Sequence, residues 1–164
     1  MGLAAQITSI DHELADLDAQ IAERFHQHES ADVLLSMPGL GPLLAATFLA
    51  NIGGNLDGFD TVDRLASLAG LAPVPRDSGR ISGNLHRPRR FNRRLLRTCY
   101  LAALSSLKNS PASRAFYNRK RAEGKSRKQA LIALARRRLN VIWAMLRDHT
   151  MYQEPSTAPR PLAA

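Results

Sequence analysis

The residues with most chemical promise form a short run near the middle of the chain, Arg76-Asp77-Ser78-Gly79-Arg80. A hydroxyl stands there between two guanidinium groups, and the glycine lets a phosphate come close. Arginine's planar fork stabilises charge developing on phosphate oxygens. A serine held in that position can attack phosphorus and form a covalent phosphoseryl intermediate, provided its proton has an acceptor. Asp77 and His86 are the nearest candidates in sequence. Asp-Ser-Gly is also an ordinary turn, and two arginines can touch phosphate without any catalysis. Taken alone, the run favours that plainer reading.

More cations follow. Arg87, Arg89, Arg90, Arg93 and Arg94 are placed to carry flanking nucleic-acid backbone. A later group, Arg119, Lys120, Arg121, Lys125, Arg127, Lys128, Arg136, Arg137 and Arg138, reads as further backbone contact. No regular set of aromatics interleaves with it, which argues against a base-stacking platform. A second candidate lies upstream in Pro38-Gly39-Leu40-Gly41-Pro42, a tight turn between apolar helices. Gly39 and Gly41 permit close backbone approach, and the following helix offers unpaired N–H groups, as in a helix-hairpin-helix that grips a DNA phosphate. The alternative is a structural turn that touches nothing.

Metal chemistry finds little support. His12, His26, His28, His86 and His149 are scattered, and the single cysteine, Cys99, has no partner at zinc spacing. After residue 75 only Asp77, Glu123, Asp148 and Glu154 are acidic, too few for a self-contained magnesium nuclease. No metal site is expected.

The elements that must position these residues read as all-α. Leu3, Ile7, Ile10, Leu14, Leu17, Ile21 and Phe25 form a near-heptad seam, so residues 1–29 are predicted to be a coiled-coil-like helix. Its seam serves either a second copy of the chain, giving a homo-oligomer through residues 3–25, or the chain's own domain. Residues 30–148 are predicted to form a compact helical domain. Thr61 is a helix cap and Gly70 a terminator. Pro73 to Pro88 is irregular, with at most a short hairpin, and loops of that length are commonly functional. Helices are expected from Pro88 to about Lys108, over 112–122, and from a Ser126/Gln129 capping box to about Asp148. Residues 149–164 read as a disordered tail.

Composition sets the outer bounds. The chain has 164 residues, 45% hydrophobic and only 5% aromatic, with a net charge of +9. That charge is strongly polarised. Residues 1–75 hold ten acidic residues against two basic ones, whereas residues 76–164 hold four against twenty-one. Such polarity points to a bound polyanion. No apolar run is long enough to span a membrane, and the lone cysteine and absence of a secretory leader suggest the cytoplasm.

Four segments in order, PGLGPLLAATFLANIG, LASLAGLAPVPRDSGRISG, the Arg-rich helix and RKQALIALARRRLNVIWAMLRD, together resemble the C-terminal transposase domain of the insertion-sequence-110 (116/902) family. The resemblance covers roughly residues 30–148, and the preceding helix is similar to that family's connecting coiled coil. It implies a DNA recombinase whose C-terminal domain carries a nucleophilic serine. The family serine follows a Gly-Leu-x-Pro segment, here Gly70-Leu71-Ala72-Pro73, which makes Ser78 the best match and Ser82 the runner-up. The resemblance further implies a structured guide RNA, and magnesium held by an N-terminal RuvC-like domain with a DEDD set. This sequence shows no such domain ahead of Met1, so it reads as an incomplete portion, expected to be inactive alone. A non-enzymatic nucleic-acid-binding module that regulates an intact recombinase is the alternative.

Overall fold

The computed structural model describes residues 2–75, 79, 85, 86 and 88–155. It is all-α, as the periodicity requires. The helices are α1 (Leu3–His26), α2 (Ala31–Leu35), α3 (Pro42–Ile52), α4 (Val62–Leu68), α5 (Arg93–Asn109), α6 (Pro111–Ala122) and α7 (Arg127–Asp148). A two-residue antiparallel ladder, β1 (Val74–Pro75) with β2 (Leu85–His86), is the only strand pairing among the described residues.

Local chemistry sets the helix ends. Thr61 Oγ1 accepts the Arg64 amide and Gly70, at φ +66, closes the turn that follows α4. Ser126 and Gln129 form the reciprocal capping box, with each side chain accepting the other's amide N–H. The helix expected from Pro88 starts later, at Arg93, because Asn92 takes the capping position and accepts the Leu95 amide.

α7 is the central element and packs against α2, α4, α5 and α6. Leu134, Leu139, Ile142 and Met145 bury its inner face beside Leu34, Phe48, Leu65 and Leu95. Each fully buried side chain of this size contributes about 1.5–3 kcal/mol. Among them lies a charge, Arg138, whose residue is only 4% exposed. Its guanidinium donates to the Pro38 carbonyl and, at 3.2 Å, to the Ser113 hydroxyl. Burial pushes its pKa down to about 10, so it stays protonated near neutrality.

The chain beyond α7 corrects an expectation. Residues 150–155, read from composition as the start of a disordered tail, dock on the domain. The Tyr152 amide donates to Ser36 Oγ at 2.8 Å, and the Tyr152 hydroxyl donates to Glu154 at 2.8 Å. The Glu154 carboxylate also accepts the Ser110 hydroxyl and the Ala112 amide, both at 3.0 Å. It thus closes the first turn of α6. Burial opposes its charge, but the Ala112, Tyr152 and Ser110 hydrogen bonds and the field of Arg138 outweigh it, holding the carboxyl below its usual range.

α1 projects away. Its seam rises from 45% exposed at Ile21 to 79% at Leu3, and only Phe25 is buried in the core.

Two outcomes follow. Arg138→Ala should cost about 3 kcal/mol in urea unfolding, because it opens a cavity and strands the Pro38 carbonyl and Ser113 hydroxyl. A loss under about 1 kcal/mol would remove Arg138 from the core's support. The depressed Glu154 pKa means its contribution is complete above the unfolded carboxyl value, about 4.3, and is lost as pH falls through the folded value. Glu154→Gln should therefore flatten the acid limb of the stability profile.

Candidate nucleic-acid interface

A polyanion is bound by cations that face water and are not already neutralised. The entry to α5 supplies them. Asn92 fixes this corner: its amide donates to the Leu68 carbonyl at 2.7 Å, and its side chain donates to Asn51 Oδ1 at 2.8 Å. The start of α5 is thereby tied to α4 and α3. Around it Arg89, Arg90, Arg93, Arg94 and Arg97 are all exposed. None makes an ion pair or side-chain hydrogen bond with another described residue. Arg97 was not singled out from the sequence, although it lies one turn beyond Arg93 and Arg94 on the same helix, the spacing that places side chains on one face.

Their location costs stability. The N-terminal end of a helix carries partial positive charge, so cations there are unfavourable and acids are preferred. α2 and α4 follow the rule with Asp32 and Asp63 in their first turns. α5, α6 and α7 have no acid there. The arginines crowded at the start of α5 are therefore not explained by the electrostatics of the helix itself.

The Arg136-Arg137-Arg138 triplet divides. Arg138 is buried and serves the core, which corrects its reading as a backbone contact. Arg136 donates to the Asp63 carboxylate and to the Val62 carbonyl, at 3.4 Å for the latter, and so fastens α7 to α4. Arg137 alone is exposed. It lies 4.9 Å from the Phe116 ring centre, with Arg119 at 5.2 Å and Lys120 at 5.7 Å around the same ring. Cation–π attraction holds these charges together against their repulsion.

The two glycines of the upstream turn also differ. Gly39 has φ +80, and a Cβ there would lie 2.5 Å from the Ser106 amide nitrogen and 2.7 Å from the Ala102 carbonyl oxygen. Its missing side chain is thus accounted for by the backbone of α5. Gly41 caps α3, is exposed, and has open space where a Cβ would be.

Arg76, Ser78, Arg80, Ser82 and Arg87 lie outside the described residues. What is described is the ladder at the ends of residues 76–84: Val74 pairs with His86 and Pro75 with Leu85. Gly79, between them, is exposed. Cys99 offers no competing nucleophile, because burial pushes its thiol up to about 12. Among the described residues no three His, Cys, Asp or Glu side chains converge on a possible metal position, so no magnesium step is derived from this chain. No described helix is long and apolar enough to cross a membrane.

Residues 31–118 match the transposase IS116/IS110/IS902 family. The chain is 60% identical over 155 residues to an uncharacterized 42 kDa protein of insertion element IS900 from Mycobacterium paratuberculosis, covering 94% of this chain and 39% of that protein. It is 49% identical over 150 residues to an uncharacterized 44.8 kDa protein of insertion element IS116 from Streptomyces clavuligerus, covering 92% and 37%. It is 31% identical over 151 residues to the pilin gene-inverting protein of Moraxella bovis, covering 90% and 45%. The chain therefore spans about two-fifths of the length of these relatives.

Replacing Arg93, Arg94 and Arg97 together with Glu should weaken duplex binding for all sequences alike. It should also reduce the slope of log affinity against log salt by roughly 3. The melting temperature should hold or rise, since acids suit the start of α5. Unchanged affinity in a folded triple variant would move the interface elsewhere.

Proposed function

Because the chain belongs to the IS116/IS110/IS902 family of transposases, with a role in DNA transposition, we propose that it is the C-terminal, DNA-holding portion of the recombinase and carries the strand-exchange serine. The observation that supports this most is the set of exposed arginines at the entry to α5, which pair with no other described residue and follow the segment that contains Ser78. Arg76 and Arg80 flank that serine in sequence. Arg87, Arg89, Arg90, Arg93, Arg94 and Arg97 continue the cationic track, with Arg137 and the exposed backbone of Gly41 as further contacts.

In the proposed reaction Ser78 Oγ attacks a DNA phosphorus. The Oγ–P bond forms, one P–O bond to a neighbouring deoxyribose breaks, and the departing oxygen takes up a proton to become a free strand hydroxyl. The serine's proton passes to Asp77, to His86 on β2, or to a group of the partner domain. Arg76 and Arg80 stabilise the charge on the phosphate oxygens. The RuvC-like domain implied by the family would hold magnesium, and a structured guide RNA would choose the DNA partners. Ser82 is the alternative nucleophile.

The exposed seam of α1 fits a second copy of the chain. Apolar side chains at near-heptad spacing, left in water in one copy, bury each other when two copies pair.

Three measurements test the proposal. Affinity for duplex DNA should fall roughly a thousandfold between about 50 and 200 mM salt if about six phosphates are contacted; a flat dependence would exclude phosphate-driven binding. Replacing Ile10 and Leu17 with Asp should turn an oligomer into a folded monomer in sedimentation, and a wild-type monomer at tens of micromolar would refute pairing through α1. Supplied with a RuvC-like domain, magnesium and guide RNA, the chain should form a protein–DNA adduct that survives denaturing electrophoresis. The adduct should vanish in Ser78→Ala and persist in Ser82→Ala. Its absence under every complemented condition, with DNA affinity intact, would favour a non-catalytic binding module.

A further inference from the structure

Beside the β1–β2 ladder the fold leaves a cavity of about 610 Å³, of which the reading above uses only His86 on its lining. One wall is the segment that follows α4, with Leu71 and Ala72; the other is the start of α7, with Lys125, Lys128, Ile132 and Ala133. Polarity is divided between floor and rim. Ile132 and Ala133 are only half-buried on a helix whose neighbouring apolar residues, Leu131, Leu134 and Ala135, are fully covered. Lys125 and Lys128 are exposed on the rim, and neither side chain has an ion pair or hydrogen bond with a described residue. Arg136 also borders the cavity, but Asp63 holds its guanidinium to the α4 side. The capping box uses the Ser126 and Gln129 amides, and the two rim lysines bring the full positive charges that an anion would meet.

We propose that this cavity takes one unpaired DNA nucleotide, with its base over Leu71, Ile132 and Ala133 and its phosphate on Lys125 and Lys128. The proposal rests on the DNA-binding reading above and adds to it a site for single-stranded substrate. The division of polarity selects the ligand. A free phosphate gains nothing from an apolar floor, and an uncharged apolar molecule gains nothing from two ammonium groups. A nucleotide has a planar base of low polarity at one end and an anion at the other. Base pairs in an intact duplex keep their faces stacked, so only a displaced or strand-end nucleotide can enter. Strand exchange produces such nucleotides, and the cavity adjoins both ends of the segment that carries the proposed nucleophile.

The test compares the affinity of the full chain for a short oligothymidylate, for an abasic strand of equal length and charge, for an oligouridylate, and for a duplex. Wild type should prefer the oligothymidylate to the abasic strand by about fivefold or more. Ala133→Trp, which fills the floor, should abolish that preference and leave duplex affinity unchanged. Ala133→Leu should reduce it partially, which keeps the test available if the larger side chain disturbs folding. Lys128→Glu should weaken both single strands. Equal affinity of wild type for base-bearing and abasic strands, or a preference that survives both Ala133 substitutions, would overturn the proposal. An oligouridylate preferred over the oligothymidylate, with the preference lost in Ala133→Leu, would also overturn it by making the occupant RNA. Failure of wild type to bind duplex at all would instead refute the DNA-binding reading beneath it.

Discussion

The domain is organised around one buried positive charge. Arg138 reaches from the middle of α7 to the carbonyl of Pro38 and the hydroxyl of Ser113, groups that lie far apart in sequence and that it joins. An arginine in an apolar interior is costly unless its donors are used. Two are used in this way, although Nε has no partner among the described residues. The long-range field of Glu154, delivered by the segment after α7, offsets part of what remains. The same guanidinium thus links the turn before α3, the first turn of α6 and the docked end of the chain. The turn it holds is the one whose Gly39 sits directly on α5, so the placement of α5 and its arginines depends on that contact as well.

Around this centre the distribution of charge departs in places from what helix electrostatics favours. Asp32 and Asp63 begin their helices as electrostatics favours, and Asp63 has a second use in holding Arg136. In the basic half the three described acids are already engaged. Glu123 meets Lys120 and Arg119, Asp148 meets Arg147, and Glu154 closes α6. Exposed pairs of this kind contribute little to stability. They do remove negative charge from the field a nucleic acid would meet, and no described carboxylate is left to satisfy the arginines around Asn92.

Much of the helical frame was legible because its signals are local. The capping box at Ser126, the Thr61 cap and the seam of α1 each need only a few consecutive residues to be recognised. The errors arose where partners are distant. The need for glycine at position 39 rests on the approach of α5, which cannot be seen from the turn itself. The segment after Asp148 was read from its proline and alanine content, whereas Glu154 finds Ser110 and Ala112 some forty residues earlier. Arg138 is a different kind of error. Its position follows Leu131, Leu134 and Ala135 and precedes Ile142 and Met145 at helical spacing, so the apolar stripe of α7 already pointed it inward. The three consecutive arginines were treated as one face, when a helix turns about 100° per residue and sends them in different directions.

The exposed helix α1 brings a second electrostatic rule into the same chain. Asp11 and Asp18 directly follow the seam residues Ile10 and Leu17, and Glu13 directly precedes Leu14, so the flanks of the seam are acidic. Flanking positions of this kind face each other across a coiled coil and set partner choice. Pairing between two copies would therefore bury leucine and isoleucine against the repulsion of like charges, and salt, by screening that repulsion, would favour it. On the arginines around α5 salt would act in the opposite sense, because it would compete for the phosphate they are proposed to hold. The two proposed activities, self-association through α1 and DNA binding through the basic half, would therefore have ionic-strength dependences of opposite sign. Their separation along the chain, acidic before residue 75 and basic after it, would let one polypeptide carry both without its two surfaces neutralising each other.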